Sequence, residues 1–213
     1  AGSYGVRAPY SFFDSQAARM EIPRQIAVAA HRGGAKEAPE NTMEAFYHAV
    51  EAGCEWIELD VQQTKDGVLM VYHDDSMQRL TGAPGNIWDY TCAQLQQMKL
   101  QASFPSDTGI PTFEQVLQFC RGKVKLNVEL KENEYNRKHP IIKQAVALLQ
   151  QYGFVENCCV TAYSLAVLEG VKREDPRLQT ACLYDVKRDL PLDSPAFDWV
   201  SMAVALAEKE TVS

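Results

Sequence analysis

From Thr112 onward, strand-like and helix-like segments take strict turns along the chain, and that alternation confines it to a parallel α/β architecture. Thr112-Phe113-Glu114-Gln115 is a capping box, and it opens a helix with Phe113, Val116, Leu117 and Cys120 on one face. A strand is expected at 124–130, then a helix begun by Pro140 and running to about residue 152. A strand at 158–162, a helix at 164–173 and a strand at 179–184 follow, with one more strand at 198–203 after Pro191 and Pro195. Such folds gather their chemistry at the carboxyl ends of the strands.

The first half obeys the same grammar with one interruption. Residues 26–30 form an apolar run that ends in His31-Arg32-Gly33-Gly34. Asn41 and Thr42 offer helix caps, and Met43, Phe46, Tyr47 and Val50 then recur at helical spacing until Gly53 stops them. A strand at 56–62 and another at 68–73 flank the tight turn Lys65-Asp66-Gly67. Residues 74–111 are rich in turn formers and read as an insertion, with one short helix near 91–100 capped by Thr91 and Gln94.

The polar residues can now be placed on these strands. Glu58 and Asp60 stand at i and i+2 and share a strand face. A two-residue turn at 65–66 or at 66–67 would set His73 opposite Glu58 or Asp60, and either register puts all three side chains on that face. Alone, the carboxylate pair also fits a solvent-facing strand edge. Glu129 and Lys131 repeat the spacing on a strand flanked by Leu126, Val128 and Leu130, and alone they also fit a structural ion pair. Together, three carboxylates at one pole of a sheet call for a counter-ion, and oxygen donors suit a hard divalent cation, Mg²⁺ or Ca²⁺. No His-x-His occurs on a strand, which disfavours zinc. The glycines after His31-Arg32 let backbone N–H groups approach an anion, and Arg32 adds a planar fork suited to phosphate.

Charge decides which partners fit. The 213-residue chain carries a formal charge of −7, which argues against a nucleic-acid backbone as partner. The pocket itself differs from that average. Three carboxylates, one divalent cation, Arg32 and Lys131 leave a single net positive charge, which one phosphodiester neutralises. The six cysteines show neither a C-x-x-C pair nor zinc spacing, and most of them read as buried thiols. No stretch approaches the ~18–20 apolar residues of a membrane span.

These motifs resemble the glycerophosphodiester phosphodiesterase family. The resemblance rests on His31-Arg32-Gly33, Pro39-Glu40-Asn41-Thr42, Ile57-Glu58-Leu59-Asp60-Val61, Thr64-Lys65-Asp66-Gly67, His73-Asp74 and Glu129-Leu130-Lys131. Arg79-Leu80-Thr81-Gly82 and Ile110-Pro111-Thr112 fit it too, so it covers roughly residues 25–205 in order. It implies a TIM-type (β/α)8 barrel with a small insertion after the third strand, and hydrolysis of glycerophosphodiesters to glycerol 3-phosphate and an alcohol. By matching position, Glu58, Asp60 and Glu129 would hold the metal, His31 and His73 would be the acid/base pair, and Arg32 and Lys131 would bind the phosphate.

The resemblance also frames the domain: residues 1–24 as an extension or linker, and 25–213 as the barrel, with the insertion at about 74–111 and the C-terminal strand-helix unit expected to be missing. The implied partner is a small-molecule glycerophosphodiester, with no nucleic acid. Membrane contact would come only through an upstream tether, so the expected location is the cytoplasm or the soluble part of a tethered enzyme. Two other functions remain open at this point: a phospholipase D-like enzyme acting on lysophospholipids, and a barrel that binds without turnover. The oligomeric state is left open.

Overall fold

The computed structural model describes residues 29–34, 38–100, 109–184, 195 and 199–202. Strands β1 (Ala29–Ala30), β2 (Trp56–Gln63), β4 (Lys125–Leu130), β5 (Cys158–Ala162), β6 (Gln179–Tyr184) and β7 (Trp199–Met202) form one parallel sheet in that order. Strand β3 (Leu69–Val71) pairs antiparallel with the end of β2. Helices α1 (Met43–Glu51), α6 (Ile142–Gln151) and α7 (Leu165–Glu174) each link neighbouring parallel strands, and α4 (Phe113–Cys120) leads into β4. The strand at 26–28 and the boundary at 24/25 lie outside the described residues.

The two faces of the sheet differ in chemistry. Ile57, Leu59, Val61, Leu126, Val128, Leu130, Cys158 and Val160 pack outward against Phe46 of α1, Val116 and Leu117 of α4, and Val146 and Leu149 of α6. Burying each such side chain contributes about 1.5–3 kcal/mol, so this layer fixes the register of the strands. The alternate residues Glu58, Asp60, Gln62, Asn127 and Thr161 point inward and are also buried. An inner face this polar cannot be a plain packing layer.

Met77, Ile87, Leu95, Leu100 and Ile110 of the insertion pack with Met70 of β3 and Tyr72 just after it into a second, smaller core. Among the described residues the insertion contains two short α-helices, α2 (Gln78–Thr81) and α3 (Cys92–Gln97), with a 3-10 turn at Ile87–Asp89 between them, and Thr91 with Gln94 caps α3 as expected. Residues 101–108 of it lie outside the described residues. A further short helix, α5 (Glu134–Lys138), precedes α6 and is capped by Asn133, where only a loop before Pro140 was expected. All six cysteines are unbridged thiols; Cys120, Cys158, Cys159 and Cys182 are buried.

One expectation is overturned. The β2–β3 turn is a three-residue loop: Thr64 N donates to Val68 O at 3.0 Å, and Gly67 N donates to Thr64 O at 3.0 Å with Gly67 at φ 79°. Val68 N finds the Thr64 hydroxyl at 2.9 Å, so a side chain completes what a two-residue turn would do with backbone. The resulting register pairs Val61 with Val71 and bonds Tyr72 N to Asp60 O at 3.0 Å. Continued alternation would set His73 opposite Leu59, on the apolar face. The chain instead leaves the ladder, because the Gln62 amide donates to the carbonyl oxygens of Tyr72, His73 and Asp74 at 3.0, 3.0 and 2.8 Å.

Candidate active site

At the carboxyl pole of the sheet, β2 and β4 set Asp60 beside Glu129, and β1 brings His31 level with Glu58. Glu58, Asp60 and Glu129 each offer a carboxylate oxygen within 4.8 Å of the others. Lys131 reaches back to donate to Glu129 Oε1 at 2.9 Å and stands 3.6 Å from Asp60 Oδ1. His31 Nε2 lies 3.7 Å from Glu58 Oε2. His73, curled inward by Gln62, lies within electrostatic reach of both His31 and Glu129. The structure thus gathers all seven residues singled out in the sequence at one pole.

The loop after β1 shapes one wall. Arg32 has φ 51°, which turns its backbone N–H onto Glu58 Oε2 at 2.9 Å. Its guanidinium donates to Glu40 Oε1 at 2.9 Å, while Nε stays 3.7 Å from Asp60 Oδ2, too far for a hydrogen bond. Asn41 also takes a left-handed conformation, φ 56°, which asparagine tolerates better than most residues. It ties its N–H to Arg32 O and its side-chain amide to Asp60 Oδ2, each at 2.9 Å. The loop then enters α1 at Thr42, whose hydroxyl accepts from Ala45 N.

Gly33 lets this loop lie directly on α1. At its φ of 81°, a Cβ would meet Ala45 Cβ and Phe46 Cδ1 at 2.8 Å. Gly33→Ala combines left-handed strain with overpacking and is expected to cost about 2–4 kcal/mol. Urea unfolding checks this; a loss below about 0.5 kcal/mol would show that the loop can shift off the helix at no cost.

The electrostatics mark Glu58 and Glu129 as carboxylates whose burial the nearby cations only partly offset. Burial, with the charge of Asp60, pushes the Glu58 carboxyl up to about 8. Burial and Asp60 likewise raise Glu129, against the pull of Lys131. Burial opposes the Lys131 ammonium, yet Glu129 and Asp60 outweigh it and hold the lysine above its ordinary pKa. His31 is pushed below its ordinary value, first by burial and then by Arg32. Asp60 Oδ1, Asn41 Oδ1 and Asn127 Oδ1 are buried acceptors without a hydrogen-bond donor. Lone acceptor oxygens beside three clustered carboxylates have the chemistry that could hold a hard divalent cation.

Several residues that complete the site carried no role in the sequence reading. Glu40 sat inside a quoted motif without a role, and Asn41 was read only as a candidate helix cap, a place that Thr42 takes in the structure. Asp74 accepts from His73 Nδ1 at 2.6 Å and is itself held by Arg79. Asn133, the cap of α5, donates to Gln62 Oε1 at 2.9 Å and so braces the amide that curls the His73 segment.

Comparison with known proteins agrees with this geometry. A glycerophosphodiester phosphodiesterase of Caldanaerobacter subterraneus subsp. tengcongensis is 35% identical over 162 residues, 74% of this chain and 66% of that protein. One of Bacillus altitudinis is 36% identical over 73% of this chain and 65% of its own length. The chain therefore spans just under two thirds of these relatives. An Oleispira antarctica phosphodiesterase, solved in complex with the product sn-glycerol-3-phosphate, superposes with a TM-score of 0.69 at 26% identity, covering 76% of this chain and 67% of that one. The sheet is that of a TIM-type barrel, to which the described residues contribute six parallel strands. The model of the Glycerophosphoryl diester phosphodiesterase family matches residues 31–213, and the chain belongs to that family.

Proposed function

We propose that this chain hydrolyses glycerophosphodiesters to glycerol 3-phosphate and an alcohol, with Glu58, Asp60 and Glu129 holding a divalent cation, Mg²⁺ or Ca²⁺. The observation that carries the reading is the convergence of three carboxylate oxygens within 4.8 Å at the pole where His31, Arg32, His73 and Lys131 also meet. When bound, the cation supplies Lewis-acid stabilisation of charge on the phosphoryl oxygens.

The protein's own groups supply the rest. Arg32 and Lys131 bring positive charge to the pocket and offer N–H donors to the non-bridging oxygens as the phosphorus becomes five-coordinate. His31, kept neutral at pH 7 by its lowered pKa, takes the proton from the attacking oxygen, either a water or the neighbouring glycerol hydroxyl. His73 gives a proton to the departing alkoxide. Its Nδ1 is fixed on Asp74, which leaves Nε2 as the ring nitrogen that can face the leaving oxygen. The bond from phosphorus to the attacking oxygen forms as the bond to the leaving oxygen breaks.

The test is glycerol 3-phosphate release from glycerophosphocholine and glycerophosphoethanolamine, with Mg²⁺, Ca²⁺ or EDTA. Cation-dependent release is expected. Choline release from lysophosphatidylcholine but from neither small diester would overturn the substrate assignment in favour of a phospholipase D-like enzyme. A full-length protein that binds a cation and turns over none of these substrates would overturn the enzyme reading.

A further inference from the structure

Arg79 touches none of the groups that would meet substrate, yet it links two of them. Its Nε donates to Asp74 Oδ2 at 2.5 Å and its Nη2 to Asp74 Oδ1 at 2.9 Å. On its other edge, Nη1 donates to Glu40 Oε2 at 3.0 Å and Nη2 to Glu40 Oε1 at 2.7 Å. Each carboxylate has a second client. Asp74 Oδ1 takes His73 Nδ1 at 2.6 Å, and Glu40 Oε1 takes Arg32 Nη1 at 2.9 Å. Charges therefore alternate along Arg32, Glu40, Arg79, Asp74 and His73, from one wall of the site to the other.

We propose that Arg79 is a positioning residue that holds His73 and Arg32 in fixed relation through Asp74 and Glu40. The inference rests on the roles given to His73 and Arg32 above and extends them to a residue of the insertion. Arg79 belongs to α2, a single turn in the insertion, whereas Glu40 lies in the turn before α1. Only this guanidinium joins the two segments through paired forks among the described hydrogen bonds. A planar fork gripping two carboxylates fixes angle as well as distance, which an ammonium cannot do. Glu40 and Asp74 both feel it: the hydrogen bond from Arg79 is the largest influence holding each carboxyl below its ordinary pKa against burial, with Asp74 brought to about 2.

A purely structural role predicts a different outcome from a positioning role. The Arg79 side chain is 47% exposed, and ion pairs that open to solvent contribute little to stability. Loss of an outer hydrogen-bonding partner at a reacting site costs typically about 10- to 100-fold in activity. In the full-length, cation-loaded protein, Arg79→Gln is thus expected to lower kcat about 10- to 100-fold and raise KM, with little change in melting temperature. Arg79→Lys, which restores charge without the forks, should fall between the two. In carboxyl ¹³C spectra, Asp74 should titrate at higher pH in Arg79→Gln than in wild type.

Wild-type kcat and KM in Arg79→Gln, to within twofold, would overturn the proposal, as would full activity in Arg79→Lys. A loss of activity with an unmoved Asp74 titration would overturn it equally, because the linkage would then not run through that carboxyl. Should wild type release no glycerol 3-phosphate, the phosphodiesterase reading fails, and the Asp74 titration with the His73 Nδ1–H resonance still decides the linkage. Movement of both in Arg79→Gln upholds it, and constancy of both overturns it.

Discussion

Glu58→Gln is expected to remove cation binding and lower the rate of diester hydrolysis about a thousandfold, while leaving the cation-free protein at least as stable as wild type. The rate loss corresponds to about 4 kcal/mol of charge stabilisation in the transition state. The stability half of the expectation follows from the crowding of three buried carboxylates. Glu58 is 8% exposed and its carboxyl is pushed up to about 8, so without a cation it holds a proton at neutral pH. Glutamine has the shape of that neutral form. Because the folded pKa lies above the unfolded one, the wild-type contribution is fully present below about pH 4.5 and is lost as pH rises through about 8. The variant lacks that decline. A cation at a hundredfold excess over its Kd stabilises wild type by about 2.7 kcal/mol, which moves the melting temperature by about 5–10 °C in a chain of this size. Thermal melts with Mg²⁺, Ca²⁺ or EDTA read both halves at once. An equal upward shift in wild type and Glu58→Gln would remove Glu58 from the ligand set.

The parts of this site that the sequence discloses are those set by periodicity. Glu58 and Asp60, or Glu129 and Lys131, must share a face because the strand period is two, and the flanking apolar residues say which face is the other one. His31 and Arg32 are legible because an apolar run ends on them. His73 reaches the same place by a route that periodicity cannot show. The Thr64 hydroxyl stands in for a backbone group and lengthens the turn by one residue, which sends His73 towards the wrong face, and the Gln62 amide then turns it back. Two departures from regular pairing cancel, so a reading based on an ideal hairpin gives the right neighbourhood through the wrong register. Helix α5 escapes because five residues are too few to show a 3.6-residue period, although its Asn133 cap braces Gln62. Glu40 and Arg79 meet across 39 positions of sequence, and nothing local to either marks the other as its partner.

His73→Ala should lower kcat by about 10²- to 10⁴-fold on glycerophosphocholine, the range for removing a general acid or base. His31→Ala should lose a similar factor, and the two variants should separate on a substrate with a better leaving group. An alkoxide must be protonated as it departs, whereas p-nitrophenolate leaves without help. If His73 is the acid, its variant regains most of the lost rate on the p-nitrophenyl ester of glycerol 3-phosphate. The His31 variant, which lacks the base, stays slow on both. The pH profile gives an independent reading of the same assignment. A base must be neutral to work, so the rate falls as pH drops through the pKa of His31. Burial and Arg32 place that pKa below 6.5, and a cation held nearby pushes it the same way. Wild type should therefore already be on its plateau at neutral pH, with the acidic limb below 6.5, and His31→Ala should lose that limb. Recovery by the His31 variant on the activated ester, with the His73 variant left slow, would exchange the two roles. The site would then run with Asp74 holding a base.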